Sequence, residues 1–184
     1  MKIIDIGGLM KKVLLLVGLI FINAMSAPSF AESKAEHKPE TNTLDSVPLS
    51  ALSIGSDQID FSDYRGKVVL LDFWASWCGP CRQSFPWMNE VQKKYADQDL
   101  VVIAVNLDQE KQAAADFLTD VPATFKIVYD PDGSSAEQME VMGMPMSYLI
   151  DRQGHVRHRL IGFNSSKKKE HEDHILALLN DATQ

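Results

Sequence analysis

The sequence predicts an α/β domain built around a deeply buried strand. Apolar runs of strand length alternate along the chain with amphipathic helical segments. The run KVVLLDFWA at residues 67–75 is apolar or aromatic at nearly every position, which is typical of a strand covered on both faces of a sheet. The 184 residues are enough for one domain with a sizeable core.

A helix is predicted directly after this strand, over residues 80–95. Its apolar residues recur at steps of three, three and four, so they lie on one helix face, at Phe85, Met88, Val91 and Tyr95. Pro86 interrupts the segment and is expected to kink the helix, because proline removes a main-chain hydrogen bond.

The second half of the chain is predicted to complete the sheet. The next elements are a buried strand at 100–108, a helix at 109–118, a strand ending in a turn at 124–133 and a short helix closed by glycine at 134–143. Two strands at 145–154 and 155–162 are expected to pair antiparallel across a turn. A final amphipathic helix is expected to use Ile175, Leu176, Leu178 and Leu179.

The first 31 residues have the layout of a secretory signal peptide. Lysines precede an apolar run from Val13 to Ile22, and the small residues Ser29 and Ala31 mark a cleavage site. The alternative is a membrane anchor, but the run is shorter than the roughly 18 residues that a spanning helix needs. We therefore expect a cleaved leader and a periplasmic protein.

The segment after the leader is polar, and the folded domain is expected to begin close behind it. Residues 32–43 contain almost no apolar side chains and are expected to form a flexible tether, followed by the domain at 44–184. The full chain carries a net charge of −7, which makes nucleic acid and anionic membrane surfaces poor candidate partners.

Cys78 and Cys81 are the only cysteines in the chain, and they lie three positions apart. A structural disulfide usually closes a longer loop, whereas a bond across two intervening residues gains little stability and is expected to be labile. At a strand-to-helix junction, Cys78 would lie at a helix N-terminus, where main-chain N–H groups stabilise a thiolate. Cys78 is therefore predicted to attack, and the more buried Cys81 to resolve the mixed disulfide.

Asp72 interrupts the apolar strand six residues before Cys78. A buried carboxylate without a partner is costly as an ion, so its pKa is expected to be raised, and the group is predicted to exchange a proton with Cys81. Strand alternation puts Asp72 and Trp74 on one face, which we expect to lie beneath Cys81. The alternative is that Asp72 only caps or pairs within the sheet.

The segment VVLLDFWASWCGPC at 68–81 resembles the active-site segment of the thioredoxin superfamily. YRGKVV at 64–69 and VMGMPMSYLID at 141–151 resemble more narrowly the TlpA/ResA type of exported thiol-disulfide oxidoreductase. The resemblance implies a thioredoxin-like fold, with a central mixed β-sheet flanked by helices on both faces. It also implies that no cofactor is needed, since the electrons reside in the dithiol.

The resemblance further implies a set of substrate-binding residues around the two cysteines. Pro145 would be a cis-proline facing the disulfide, and Met144 would offer its main chain to an extended substrate segment. Trp77 would be an exposed aromatic, while Gly79 and Pro80 match the dipeptide of reducing thioredoxins. From the residues alone, Pro145 can equally be a trans proline at a strand edge, and Trp77 a core residue.

Two residues differ from those usual in the TlpA/ResA type of protein. Ser84 stands where exported reductases of this type often carry glutamate, and Asp72 stands where they often carry asparagine. A role in cytochrome c maturation is therefore not assigned.

The predicted function is a periplasmic, monomeric protein-disulfide reductase that cycles Cys78 and Cys81 between dithiol and disulfide. Its expected partners are disulfide-containing exported proteins and a membrane electron donor. The alternatives are a disulfide oxidase or isomerase, or a module that binds Cu(I) or Zn²⁺ through the same cysteines. No separate metal site is predicted, because His171 and His174 lack further ligands and are expected on a solvated helix face.

Overall fold

The computed structural model describes residues 59–181, which form a sheet of five strands with four α-helices. In chain order the elements are β1 Val68–Trp74, α1 Cys81–Tyr95, β2 Leu100–Asn106, α2 Lys111–Asp120, β3 Lys126–Tyr129, α3 Ser134–Gln138, β4 Met146–Ile150, β5 Val156–Ile161 and α4 Lys168–Leu179. Short 3₁₀ turns occur at Phe61–Tyr64, Ala96–Gln98 and Ser165–Lys167.

The strand order in the sheet is β3-β2-β1-β4-β5, with β1 at the centre. β1 pairs parallel with β2, and β2 pairs parallel with β3. β4 pairs antiparallel with both β1 and β5. The sheet is therefore mixed, and the predicted antiparallel pairing of the last two strands is confirmed.

One face of the sheet carries Leu70, Asp72 and Trp74 and is covered by α1, α2 and α4. The helix residues buried in this cluster include Phe85, Met88, Val91, Tyr95, Phe117, Ile175 and Leu178. All four residues predicted for the apolar face of α1 are therefore in the core. The repeated spacing buries one stripe of each helix against the sheet.

The opposite face carries Val69, Leu71 and Phe73. Phe61 of the first 3₁₀ turn and Met139, which follows α3, are buried against this face, and Ala136 of α3 packs on its edge. Helices therefore lie on both faces of the sheet, as the sequence predicts. Every residue of β1 is buried, because two faces and two neighbouring strands cover it.

α1 continues through Pro86 to Tyr95, so proline does not end the helix. The neighbours Phe85 and Trp87 are both buried, and their packing offsets the missing main-chain hydrogen bond. α3 is shorter than predicted. It ends at Gln138 rather than at a glycine, and Glu140 beyond it has φ +53°.

His171 is buried in the structure, so its expected place on a solvated helix face is wrong. Its ring packs 5.7 Å from the ring of Trp87 and 5.9 Å from that of Phe163. His171 precedes Ile175 and Leu178 at helical spacing, and the three share the buried stripe of α4. The imidazole ring of His171 is therefore part of the packed core.

The leader, the tether and the first residues of the predicted domain lie outside the described residues. Within residues 59–181, no helix has the length and apolar character that crossing a membrane requires.

Phe85 is the centre of an aromatic cluster that joins α1 to the sheet. Its ring lies 4.8 Å from Trp74, 5.0 Å from Phe117 and 5.3 Å from Phe125, measured between centroids. Phe85→Ala is expected to lower the free energy of unfolding by about 3–5 kcal/mol, through lost burial and a residual cavity. Urea unfolding of the oxidised protein measures this. Phe85→Leu serves as the control with a smaller loss, and a loss below about 1 kcal/mol for Phe85→Ala would contradict the assignment.

Candidate active site

Cys78 and Cys81 form a disulfide at the junction of β1 and α1, with an S–S distance of 1.98 Å and a Cα–Cα distance of 5.3 Å. Cys78 is 5% exposed and Cys81 is 0% exposed, which agrees with the expected order of burial. The first residue of α1 is Cys81, so Cys78 precedes the helix rather than beginning it. The Cys81 N–H nevertheless donates to Cys78 Sγ at 3.3 Å. This contact favours a thiolate at Cys78.

The turn between β1 and Cys78 is held by residues that the sequence reading missed. The Asp108 carboxylate accepts hydrogen bonds from the main-chain N–H and the hydroxyl of Ser76, both at 2.8 Å. Asn106 Nδ2 also donates to this carboxylate, at 2.7 Å. The sequence signal for this contact is the polar pair at the end of β2, where Asn106 closes the strand and Asp108 follows it, because the carboxyl ends of neighbouring parallel strands meet at one edge of a sheet.

Asp72 lies at the middle of β1 with no exposure to solvent. Ser147 Oγ donates to Asp72 Oδ1 at 2.5 Å, while Oδ2 has no hydrogen-bond partner among the described residues. Burial raises the pKa of Asp72 to about 7, and the hydrogen bond from Ser147 opposes this rise. Asp72 shares its sheet face with Trp74, whose cluster includes Cys81. The group therefore changes charge near neutral pH on the same side of the sheet as the cysteines.

Three predicted substrate-binding residues lie in or beside the turn that carries Cys78. Trp77 is 73% exposed, and Gly79 and Pro80 are also exposed. A Cβ atom placed on Gly79 would meet nothing within 4 Å, so the surface above this residue is open. Trp74, by contrast, is a core residue with 0% exposure.

Met144 and Pro145 precede β4. The peptide bond between them is cis. Met144 is half-buried and packs against the core cluster that contains both cysteines. Within residues 59–181, neither the main-chain N–H nor the C=O of Met144 has a hydrogen-bond partner, whereas the C=O of Pro145 accepts from the N–H of Gly162 at 2.9 Å. The main chain of Met144 therefore remains available for pairing.

A cleft of about 410 Å³ opens beside Trp77. It runs between the turn before Cys78 and the start of α2, and it is lined by Ser76, Trp77, Leu107, Asp108, Gln109, Glu110 and Ala113. Ser84, on the other side of the disulfide, is buried and donates its hydroxyl to the C=O of Cys81. That position therefore brings no second carboxylate to the cysteines.

A sequence model of the redoxin family matches residues 23–175. The chain belongs to the redoxin family. Thioredoxin-like protein YneN of Bacillus subtilis is 38% identical over 126 residues, covering 66% of this chain and 72% of that protein. Thiol-disulfide oxidoreductase ResA of Geobacillus kaustophilus is 33% identical over 138 residues, covering 68% of this chain and 78% of that protein.

A solved structure agrees with this family assignment. The crystal structure of a Chlorobium tepidum protein, described as thiol:disulfide interchange protein DsbE, has 49% sequence identity and a TM-score of 0.66. The match covers 70% of this chain and 92% of that chain. This redoxin-family chain has the predicted thioredoxin-like fold, is similar to TlpA/ResA-type proteins and is a thiol-disulfide oxidoreductase with a vicinal cysteine pair at Cys78 and Cys81.

The raised pKa of Asp72 predicts a pH-dependent loss of stability. Between about pH 4 and about pH 7 the folded protein keeps a proton that the unfolded chain has released, so the free energy of unfolding falls as pH rises. Asp72→Asn removes this titration. Its stability relative to wild type is expected to increase by about 4 kcal/mol between about pH 4 and about pH 8.

Urea unfolding of the oxidised proteins across this pH range measures the difference. Asp63→Asn, which removes a carboxyl group at an exposed position, is the matched control. Parallel pH curves for wild type and Asp72→Asn would contradict the raised pKa.

Proposed function

We propose that this protein reduces disulfides in exported partner proteins, outside the cytoplasm. The observation that carries the proposal is the Cys78–Cys81 pair at the head of α1, with a main-chain N–H on Cys78 Sγ and a carboxyl group of near-neutral pKa on the same sheet face. Such a pair needs no organic cofactor, because the two electrons that reduce a substrate come from the dithiol.

The first step of the proposed reaction uses Cys78. Its thiolate attacks one sulfur of a substrate disulfide, forms a mixed disulfide and releases the other substrate sulfur as a thiolate. The N–H of Cys81 stabilises the attacking thiolate. Cys78 is the cysteine with residual exposure, so a substrate reaches it first.

The second step uses Cys81 and Asp72. Asp72 accepts the proton of the Cys81 thiol, and the resulting thiolate attacks Cys78 Sγ. The Cys78–Cys81 disulfide forms, the substrate leaves with both sulfurs reduced, and the enzyme is oxidised by two electrons. A pKa of about 7 suits Asp72 to accept and return a proton at neutral pH.

Substrate binding is proposed to combine main-chain pairing with an apolar contact. Met144 has unpaired main-chain groups and packs against the cysteine cluster, so an extended segment can add to it through hydrogen bonds. Pro145, Gly79 and Pro80 border this path, and the exposed ring of Trp77 provides an apolar platform. Main-chain pairing favours a broad range of substrates.

The N-terminal residues support an extracytoplasmic, specifically periplasmic, location. Their lysines, apolar run and small residues at Ser29 and Ala31 have the order of a cleaved export signal. Each turnover leaves the enzyme oxidised, and we propose that a membrane protein returns the electrons. Because one chain carries both cysteines and Asp72, we also propose that it acts as a monomer.

Cys81→Ser is expected to trap the mixed disulfide with substrate, because Cys78 still attacks while the resolving thiol is absent. The trapped species is measured on non-reducing gels after mixing the reduced variant with a disulfide-containing protein, and reductant reverses it. Cys78→Ser is the matched control and is expected to form at least tenfold less of the mixed disulfide with substrate. Equal trapping by both variants would overturn the assigned order of attack.

The reduction potential separates a reductase from an oxidase. The reduction potential is measured by equilibrating the protein with dithiothreitol or glutathione mixtures and then alkylating the free thiols. The proposal expects a value near the roughly −270 mV of thioredoxin, and a value near the roughly −120 mV of a strong oxidant would identify a disulfide donor. Stoichiometric Cu(I) or Zn²⁺ retained by the reduced protein would instead favour the metal-binding alternative.

A further inference from the structure

Ser147 is the residue directly opposite Asp72 in the central strand pair. It is the second residue of β4, and the antiparallel register between β1 and β4 aligns the two positions. Residues aligned in this way have Cβ atoms about 4.5–5.5 Å apart, close enough for a side-chain hydrogen bond. Ser147 is 7% exposed, and its hydroxyl donates to Asp72 Oδ1 at 2.5 Å.

Within residues 59–181, Ser147 is the sole hydrogen-bond partner of the Asp72 side chain. On the opposite side of β1, the position aligned with Asp72 is Ala104, which carries no polar side-chain atom. Asp72 Oδ1 therefore accepts a hydrogen bond, while Oδ2 has no hydrogen-bond partner among residues 59–181. The Ser147 hydroxyl thus distinguishes the two oxygens of the carboxyl group.

Ser147 is the side chain whose hydrogen bond acts on the pKa of Asp72. The titratable side chains on the same side of the sheet, or at its edge, are those of Cys78, Cys81, Tyr95, Asp108, His158, His171 and His174. In the oxidised protein, burial raises the pKa of Asp72 and the hydrogen bond from Ser147 opposes this rise. A hydroxyl that donates to a buried carboxylate stabilises its charged form.

We propose that Ser147 is a positioning residue that orients Asp72 and keeps it ionisable, so that Asp72 accepts the proton of Cys81 when the mixed disulfide is resolved. The inference rests on the proposed function and adds a residue to it. Ser147 touches neither the substrate nor the cysteine sulfurs in this role. It acts through the carboxylate alone.

The resolving step is measurable by itself with a chromogenic aromatic disulfide as substrate. The Cys78 thiolate of the reduced protein releases one coloured aromatic thiolate and forms a mixed disulfide. The Cys81 thiolate then attacks Cys78 Sγ and releases a second aromatic thiolate, while Asp72 holds the proton from Cys81. Stopped-flow absorbance follows the two releases, and the rate of the second is recorded from about pH 5 to about pH 9.

Ser147→Ala is expected to move the inflection of the second phase by about one pH unit towards alkaline values, because the ionised carboxylate has lost its hydrogen bond. Below the inflection, the second phase is expected to slow about tenfold, while the first phase is unchanged. Ser147→Thr retains a hydroxyl and is expected to restore the wild-type profile. Ser147→Val, which lacks the hydroxyl and matches Ser147→Thr in shape, repeats the test should Ser147→Ala not fold.

The Asp72→Asn background distinguishes positioning from a general structural effect. There the pH inflection is expected to be lost, and adding Ser147→Ala is expected to change the second phase no further. An unshifted inflection in both Ser147→Ala and Ser147→Val, or an equal slowing in the Asp72→Asn background, would overturn the inference. A wild-type protein without a second release would overturn the proposed function itself.

Discussion

The complete burial of β1 is the constraint on which the rest of this structure depends. The strand has a neighbour on each side and a packed layer on each face, so no side chain on it reaches water. An aliphatic residue in this position only adds to the core. At Asp72 the same burial removes water from a carboxyl group and disfavours its ionised form, which raises its pKa. The same burial provides a rigid base for the turn that carries Cys78.

Polar contacts anchor the reactive turn to the sheet, in addition to the burial of Cys78. Asp108, at the end of β2, accepts two hydrogen bonds from Ser76, and the C=O of Trp74 accepts from the N–H of Leu107. These contacts join the carboxyl ends of two parallel strands. Trp77 and Gly79 remain exposed beyond the anchor. The arrangement combines a buried, anchored Cys78 with an exposed surface beside it.

In the proposed reaction, the two sides of the site have different roles. The turn and the head of α1 carry the sulfur atoms, while Met144 and Pro145 lie just before β4 and Ser147 lies within it. The segment that leads into β4 therefore borders the proposed substrate path at Met144, and β4 contacts Asp72 three positions later, at Ser147. This follows from antiparallel pairing, which brings the beginning of β4 next to the end of β1. Family membership explains the sulfur chemistry, and the β1–β4 pairing explains the hydrogen bond from Ser147 to Asp72.

The sequence by itself determined the α/β class, the order of the elements, the buried β1 and the redox-active pair of Cys78 and Cys81. These features depend on local spacing, since apolar periodicity and the distance between two cysteines are visible along the chain. Tertiary structure alone decided the partners of Asp72 and Ser76, because Ser147 and Asp108 come from strands distant in sequence. It also decided the burial of His171, where packing against Trp87 and Phe163 outweighed the polarity of the side chain. Strand register and helix docking create such contacts, and the periodicity of a single segment predicts neither of them.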